Sequence, residues 1–442
     1  MTELFRFSCA DLEASCRRAA GWLAARGAVA GDPVVVVAGN HPATLAVAHG
    51  ALRSGVVPVL VSPGLPAHER DWIVRDARPA LVVDDPVEAV STDGAPGREL
   101  ADVPLGRPMF YTSGTTGRRK GVWSGVLDES LAREWAADEQ ELWAPVEGLP
   151  FLVCSPLSHS AGYRAATAAL LAGATVVLLD RFDAASVVRV LAGEPVTGTF
   201  LVPTHLRRIR ALGDDLPRPR EVRRVLHAGE PCPEHLKRWA ARWLHPGELW
   251  EFYGSTEGQF TAISPQEWSA RPASVGRARH GRELTIAGPG DDGVGTVFVS
   301  APGFARWEYW GDPAATAAAW RGEAFTAGDL GRLDDEGYLF LVARRDDLII
   351  SGGVNVYAAE VERTLLAHAG VDEAVVFGVP DDEWGERVTA VVAARGTTEA
   401  ELQGWARERL EPAHRPKSIE VRETLPRTST GKIDRRALRP SR

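Results

Sequence analysis

Cysteine is scarce, and the four in 442 residues, Cys9, Cys16, Cys154 and Cys232, never form the close pairs that a zinc site or a redox dithiol requires. Reduced thiols are the expectation. No apolar run approaches the roughly 18 residues of a membrane span. The first residues also lack the basic, apolar and small-residue succession of a secretory leader. A cytoplasmic location is therefore expected. Positive charge is in deficit, with a formal net charge of −9, which argues against a general duplex-binding surface but leaves room for a local basic phosphate site. Neither nucleic acid nor a membrane is an expected partner. Internal repeats and long low-complexity segments are missing as well. What remains, 45% hydrophobic and 25% charged, is the composition of an ordinary globular protein, and the length suggests about two or three domains.

Helical and strand periodicities alternate along the first half. Leu12 to Arg26 repeats at helical spacing, Val34 to Ala38 reads as a buried strand, and helix and strand follow at Thr44 to Arg53 and Val56 to Val61. His68 to Asp76 and Leu81 to Asp84 continue the pattern of a mainly parallel sheet covered by helices. A second series runs through Ala165 to Leu171, Thr175 to Leu179, Thr199 to Val202 and Val225 to Ala228. After about Ser274 short strands punctuated by glycine turns predict a small β-rich subdomain. Beyond Arg345 a helix at Ala359 to His368, strands near Val375 to Val379 and Val388 to Ala393, and a helix at Glu399 to Leu410 predict a separate α+β domain.

The sharpest chemical signal is Tyr111-Thr112-Ser113-Gly114-Thr115-Thr116-Gly117-Arg118-Arg119-Lys120-Gly121. Glycines let backbone amides approach an anion, hydroxyls add donors and Lys120 adds charge, so the stretch suits phosphate. It is neither a Walker loop, because Arg118 follows Gly117, nor a hydrolase elbow, because Tyr111 stands two places before Ser113.

Tyr-Thr-Ser-Gly-Thr-Thr-Gly followed by Lys-Gly resembles the phosphate loop of the adenylate-forming superfamily, which holds acyl-CoA synthetases, adenylation domains and luciferases. Glu251-Phe252-Tyr253-Gly254-Ser255-Thr256-Glu257 resembles its aromatic-Tyr-Gly-x-Thr-Glu motif. Thr326 to Asp329 resembles its Thr-Gly-Asp motif, Arg344 to Asp347 its hinge, and Pro426 to Lys432 the loop that carries its catalytic lysine. The motifs fall in the family's order, and the chain is most similar to AMP-forming acyl-CoA synthetases. The resemblance implies an α/β fold with a large N-terminal domain of αβ-sandwich subdomains plus a small β-rich subdomain. That domain, residues 1–345, would bind ATP and the acid. A small mobile α+β domain, residues 346–442, would carry the lysine. Arg119 departs from the family's usual proline, which would loosen the loop or add a phosphate contact.

The implied chemistry is attack of a carboxylate on the α-phosphate of ATP, expelling pyrophosphate, with the protein supplying position and positive charge. By resemblance Lys432 is catalytic. Glu257, assisted by Thr256 and Thr116, is the ligand of Mg²⁺, a hard cation that favours carboxylate oxygen. Asp329 and Arg344 hold the ribose. Gly229 and Glu230 in His227-Ala228-Gly229-Glu230-Pro231 lie against the adenine, and Tyr253 stacks on it, with Gly254 beside it. His159 in Pro156-Leu157-Ser158-His159-Ser160-Ala161-Gly162 shapes the acyl pocket. That segment has no aspartate to bind a substrate ammonium, which disfavours an α-amino acid. Rotation about Asp346 would then bring Gly352 and Gly353 to a coenzyme A thiol. Three alternatives stand beside a CoA ligase. The acceptor is a carrier-protein phosphopantetheine, the acid is an oxyacid such as nitrite, or the chain is a non-catalytic nucleotide-binding regulator.

Overall fold

Five consecutive β-branched or ring-stiffened residues, the first four of them buried, make Pro33–Val37 the middle strand of a parallel three-stranded sheet. Val34 stands opposite Pro58 of strand Val57–Val61 on one side and Leu81 of strand Leu81–Val83 on the other. The computed structural model describes residues 2–91, 99–112, 119–213, 215–344, 347–352, 354–427, 433–435 and 437–439. By compactness the chain divides into one unit of residues 1–283 and 300–325 and a second of residues 284–299 and 326–442.

In the first unit a second, eight-stranded sheet runs Leu4–Phe7, Thr175–Leu179, Pro150–Val153, Gly198–Phe200, Arg224–His227, Leu249–Gly254, Gln259–Ile263, Arg277–Ala278. Its five central strands are parallel, and antiparallel strands close both sides. Helices Cys9–Ala25, Pro42–Arg53 and Ser160–Leu171 share one core with residues of both sheets, among them Leu23, Leu45, Phe151 and Tyr163. The first of these helices starts on a capping box in which Ser8 and Asp11 satisfy each other's amides. Helices Ala184–Gly193, Pro203–Arg210 and Glu234–Trp243 build a second core with Leu152, Val177 and Val225. The parallel rhythm read from the sequence is thus present, with helices supplying the apolar partners that a sheet buried on both faces needs.

Helix Glu129–Trp143 buries two carboxylates in this unit, and both are paired. Glu139 is fully buried and ion-paired with Arg164, and it also accepts from Trp143 Nε1 at 2.8 Å. Asp138 takes Arg279 at 3.1 Å and Arg282 at 2.7 Å. Removing one partner of such a pair would strand a desolvated charge.

The second unit begins with an antiparallel β-rich part, in which Gly295–Ser300 pairs with Asp329–Leu333, which in turn pairs with Leu339–Arg344. Its α+β part is a sheet ordered Val354–Tyr357, Leu348–Ser351, Gly385–Ala394, Val371–Asp381, with Ser418–Arg422 parallel to Gly385–Ala394. Helices Ala358–Leu366 and Glu399–Arg409 close its core through Val361, Leu365, Leu402 and Ala406. Among the described residues no helix is long and apolar enough to cross a membrane. All four cysteines are free, and burial pushes the thiols of Cys16, Cys154 and Cys232 up to about 12, so these three are held as protonated thiols at neutral pH.

Two predictions follow from this packing. A β-carbon on Gly162, in the first turn of helix Ser160–Leu171, would sit 2.4 Å from the carbonyl oxygen of Pro156. Gly162→Ala should therefore cost about 1–3 kcal/mol in urea unfolding. Gly193→Ala, where nothing lies within 4 Å, should be neutral or slightly stabilising.

Three histidines are held neutral by burial. His49 is pushed down from 6.5 to about 4, His205 to about 3, and His227 well below the usual range, the last also by Lys237. Below pH 6.5 the unfolded chain binds protons that these sites refuse, so their contribution to stability is full above that pH and declines on acidification towards about 4 for His49. His49→Gln should flatten the pH slope of unfolding in that window by up to about 1.4 kcal/mol per pH unit. An unchanged slope would contradict the assignment.

Candidate functional site

Parallel strands end on the same side of their sheet, and the loops that leave those ends converge there. Strands Pro150–Val153, Gly198–Phe200, Arg224–His227 and Leu249–Gly254 are consecutive neighbours, so the segments holding His159, Thr204, Gly229 with Glu230, and Tyr253 through Glu257 leave one edge of one sheet. His159 caps helix Ser160–Leu171, with its amide donating to the Pro156 carbonyl at 3.1 Å. Gly229 has φ +88°, a conformation that side chains rarely adopt, and it turns the chain after strand Arg224–His227. The carboxylate of Glu230 accepts from Thr204 Oγ1 at 2.9 Å and pairs with Arg207 at 3.3 Å, so its side chain is committed to helix Pro203–Arg210. Any approach of this turn to a base is therefore by its backbone.

Tyr253 lies opposite Thr261 in the sheet, with Phe260 edge-on to its ring at 5.1 Å. Beyond Gly254 the chain turns tightly, Ser255 N donating to Gly258 O at 2.8 Å, and this turn carries Thr256 and Glu257. Glu257 is only 6% exposed. Its Oε1 accepts from the Tyr309 hydroxyl at 2.9 Å, and its backbone carbonyl accepts from Arg107 at 3.1 Å. Burial, then the neighbouring Arg164, lowers Arg107 to about 9, so it stays a cation at neutral pH.

The phosphate stretch is carried by a hairpin. Strands Phe110–Thr112 and Lys120–Trp123 pair antiparallel, placing Thr112 opposite Lys120, and Glu308–Tyr309 adds a third strand. Ser113, Gly114, Thr115, Thr116 and Gly117 lie outside the described residues. Both ends of the stretch are tied to helix Ala67–Ala77, Tyr111 donating to Asp76 at 2.7 Å and Arg119 Nε to Glu69 at 2.7 Å. Burial and the bond to Asp76 push the Tyr111 phenol well up, so it remains a donor. Arg119, which replaces the proline usual in the resembling loops, spends its guanidinium on Glu69. Lys120 Nζ lies 4.8 Å from the centre of the Tyr309 ring.

In the second unit Asp329 and Arg344 are direct cross-strand partners. Asp329 is 7% exposed. Gly352 sits between strands Leu348–Ser351 and Val354–Tyr357, its amide bonded to Trp384 O at 2.8 Å, while Gly353 lies outside the described residues. Lys432 lies outside them too, but Arg427 and Ile433, on either side of residues 428–432, pair in an isolated antiparallel bridge. Ile433 packs against a cluster holding Val375, Phe377 and Leu425.

Sequence reading missed Tyr309, Arg107, Asp76 and Glu69. A two-residue strand has no period to detect, and the other three act only through tertiary contact. The donor set fits magnesium. Glu257 offers one nearly buried carboxylate, and Mg²⁺ characteristically takes one or two carboxylates together with substrate phosphates.

The AMP-binding enzyme family matches residues 2–104 and 108–310, and the AMP-binding enzyme C-terminal domain matches residues 360–432. A feruloyl-CoA synthase of Amycolatopsis sp. is 33% identical over 96% of this chain and 91% of its own length. A 2-succinylbenzoate–CoA ligase of Bacillus subtilis (strain 168) is 30% identical over 98% and 93%. Among solved structures, o-succinylbenzoate CoA synthetase of Bacillus subtilis in complex with its acyl-adenylate intermediate superposes with a TM-score of 0.87 at 29% identity, over 98% of this chain and 93% of that one. ATP-bound MatB of Rhodopseudomonas palustris gives a TM-score of 0.85 at 27% identity, over 97% and 92%. The same Bacillus subtilis synthetase has been solved with ATP and magnesium ion. Matched in both of its domains and over nearly its whole length, the chain belongs to the AMP-binding enzyme family and is an AMP-forming acid–thiol ligase of the acyl-CoA synthetase type.

Proposed function

We propose that this enzyme activates a carboxylic acid without an α-ammonium group at the edge formed by His159, Gly229, Tyr253 and Glu257, and transfers the acyl group to coenzyme A. The observation that carries the reading is a nearly buried carboxylate, Glu257, held in one orientation by Tyr309, whose ring also carries Lys120 at the end of the phosphate stretch. The substrate carboxylate attacks the α-phosphorus, the bond to the bridging β-phosphate oxygen breaks, and pyrophosphate leaves. The coenzyme A sulfur then attacks the acyl carbonyl, its proton passes to solvent, and AMP departs with the electron pair of the cleaved acyl–oxygen bond.

Glu257, with Thr256 and Thr116, would hold magnesium, which would supply positive charge against the phosphate chain. Residues 112–117 and Lys120 would cradle those phosphates. Asp329 and Arg344, cross-strand partners, would take the ribose hydroxyls, and Tyr253 the adenine with Gly229 and Glu230 along its edge. Lys432 would neutralise charge on the α-phosphate in the first step. Residues 346–442 would then turn about Asp346 relative to residues 1–345, withdrawing Lys432 and presenting Gly352 and Gly353 to the thiol. The relatives' acids differ, feruloyl, 2-succinylbenzoate and long-chain fatty among them, so the acid here is to be found by assay. A carrier-protein phosphopantetheine as acceptor, or an oxyacid such as nitrite as substrate, would appear in the same assay.

Pyrophosphate release from Mg·ATP should depend on one class within a panel of aromatic and aliphatic carboxylic acids, and should rise when coenzyme A is added. Lys432→Ala should lower it about 10²–10³-fold while leaving ATP binding in place. Release without thioester formation on coenzyme A would move the acceptor to a carrier protein. Release with nitrite alone would replace the carboxylic acid, and silence with every acid would favour a non-catalytic nucleotide binder.

A further inference from the structure

Lys120 and Glu257 carry opposite charges and face the same tyrosine, yet among the described residues no ion pair joins them. Tyr309 stands between. Its hydroxyl donates to Glu257 Oε1 at 2.9 Å, while Lys120 Nζ lies 4.8 Å from the centre of its ring. The tyrosine is fixed from several sides. Strand Glu308–Tyr309 pairs with Lys120–Trp123, putting Tyr309 opposite Val122, and the next amide, of Trp310, donates to Gly121 O at 2.8 Å. The Tyr309 amide donates to Thr316 Oγ1 at 2.9 Å, and Trp307 packs edge-on to its ring at 4.8 Å.

We propose that Tyr309 is the positioning residue of this phosphate and metal site. Its hydroxyl sets the Glu257 carboxylate for a divalent cation, and its ring seats the Lys120 ammonium for the phosphate chain, so that the two charges do not collapse onto each other. A glutamate that swings among rotamers loses side-chain entropy when it is fixed on a ligand. A neutral O–H donor fixes it beforehand without cancelling its charge, which a direct lysine partner would do. A cation over an aromatic face is attracted by the ring quadrupole, enough to seat the ammonium but weakly enough to yield to a polyphosphate. A phenol offers both contacts in one rigid group, which phenylalanine, serine or glutamine does not.

The inference rests on the reading of Glu257 as the metal ligand, and the variants separate the two. ATP binding is titrated by calorimetry at a series of Mg²⁺ concentrations for wild type, Tyr309→Phe, Tyr309→Leu and Glu257→Gln, with thermal melts of each and steady-state KM values for ATP and for the acid identified by the panel. Tyr309→Phe keeps the ring and should fold, with a melt lowered modestly by the loss of one donor to a buried carboxylate. It should raise the Mg²⁺ concentration for half-maximal ATP binding by about 10-fold, with the KM for the acid within about twofold. Tyr309→Leu should add a rise in the KM for ATP as the Lys120 seat is lost. If Glu257→Gln shifts the Mg²⁺ requirement and Tyr309→Phe does not, the positioning role is overturned and the metal reading stands. If Glu257→Gln leaves the requirement unchanged, the metal reading falls and the Tyr309 role falls with it.

Discussion

A carboxylate withdrawn from water is stable as an anion only where donors replace its hydration, and a ligand site built on one must supply those donors without using up the charge. Glu257 is in that position, and its surroundings answer both demands. Tyr309 gives a neutral hydrogen bond to one oxygen, and Arg107 takes the backbone carbonyl rather than the carboxylate. Elsewhere in the same unit the buried carboxylates of Asp138 and Glu139 are paired with arginines, Glu139 also accepting from Trp143. The contrast separates carboxylates held by arginines from Glu257, whose side chain is held by a neutral phenol hydroxyl.

The topology explains how residues far apart in sequence come to one edge of the sheet. Four neighbouring parallel strands deliver His159, Thr204, Gly229 and Tyr253 to one sheet edge, and the tight turn after Gly254 carries Glu257 just past it. The hairpin around Lys120 comes from a separate small sheet, and its third strand, Glu308–Tyr309, ties it to Glu257 through the tyrosine side chain. Helix Ala67–Ala77 holds the hairpin from the other side through Asp76 and Glu69. Tyr111 and Arg119, on either side of the stretch rich in glycine and hydroxyl residues, are thus both tied to one helix.

Much of this was legible in the sequence because periodicity and short-range motifs are local. The strand expected at Val34 to Ala38 is Pro33–Val37, and the helix expected at Ala359 to His368 is Ala358–Leu366, differences of the size that helix ends and edge residues produce. The family, the α/β fold and the acid–thiol ligase chemistry were also readable, because the motifs from Tyr111 to Lys432 fall in order. The rest was hidden for physical reasons. Tyr309 sits in a strand of two residues, and Arg107 precedes a hairpin with no pattern of its own. Nothing local marks Asp138 and Glu139, because Arg164, Arg279 and Arg282, which meet them, lie far away along the chain. The partner of Arg119 is invisible to a local motif, because Glu69 lies 50 positions away along the chain.

The most direct measurement is acid-dependent exchange of labelled pyrophosphate into ATP without coenzyme A, followed as magnesium is varied in wild type and in Glu257→Gln. The account predicts exchange that needs the acid, proceeds without coenzyme A, and requires at least about tenfold more magnesium in the variant. Exchange that needs no acid, or a magnesium requirement unmoved by the loss of this carboxylate, would contradict it.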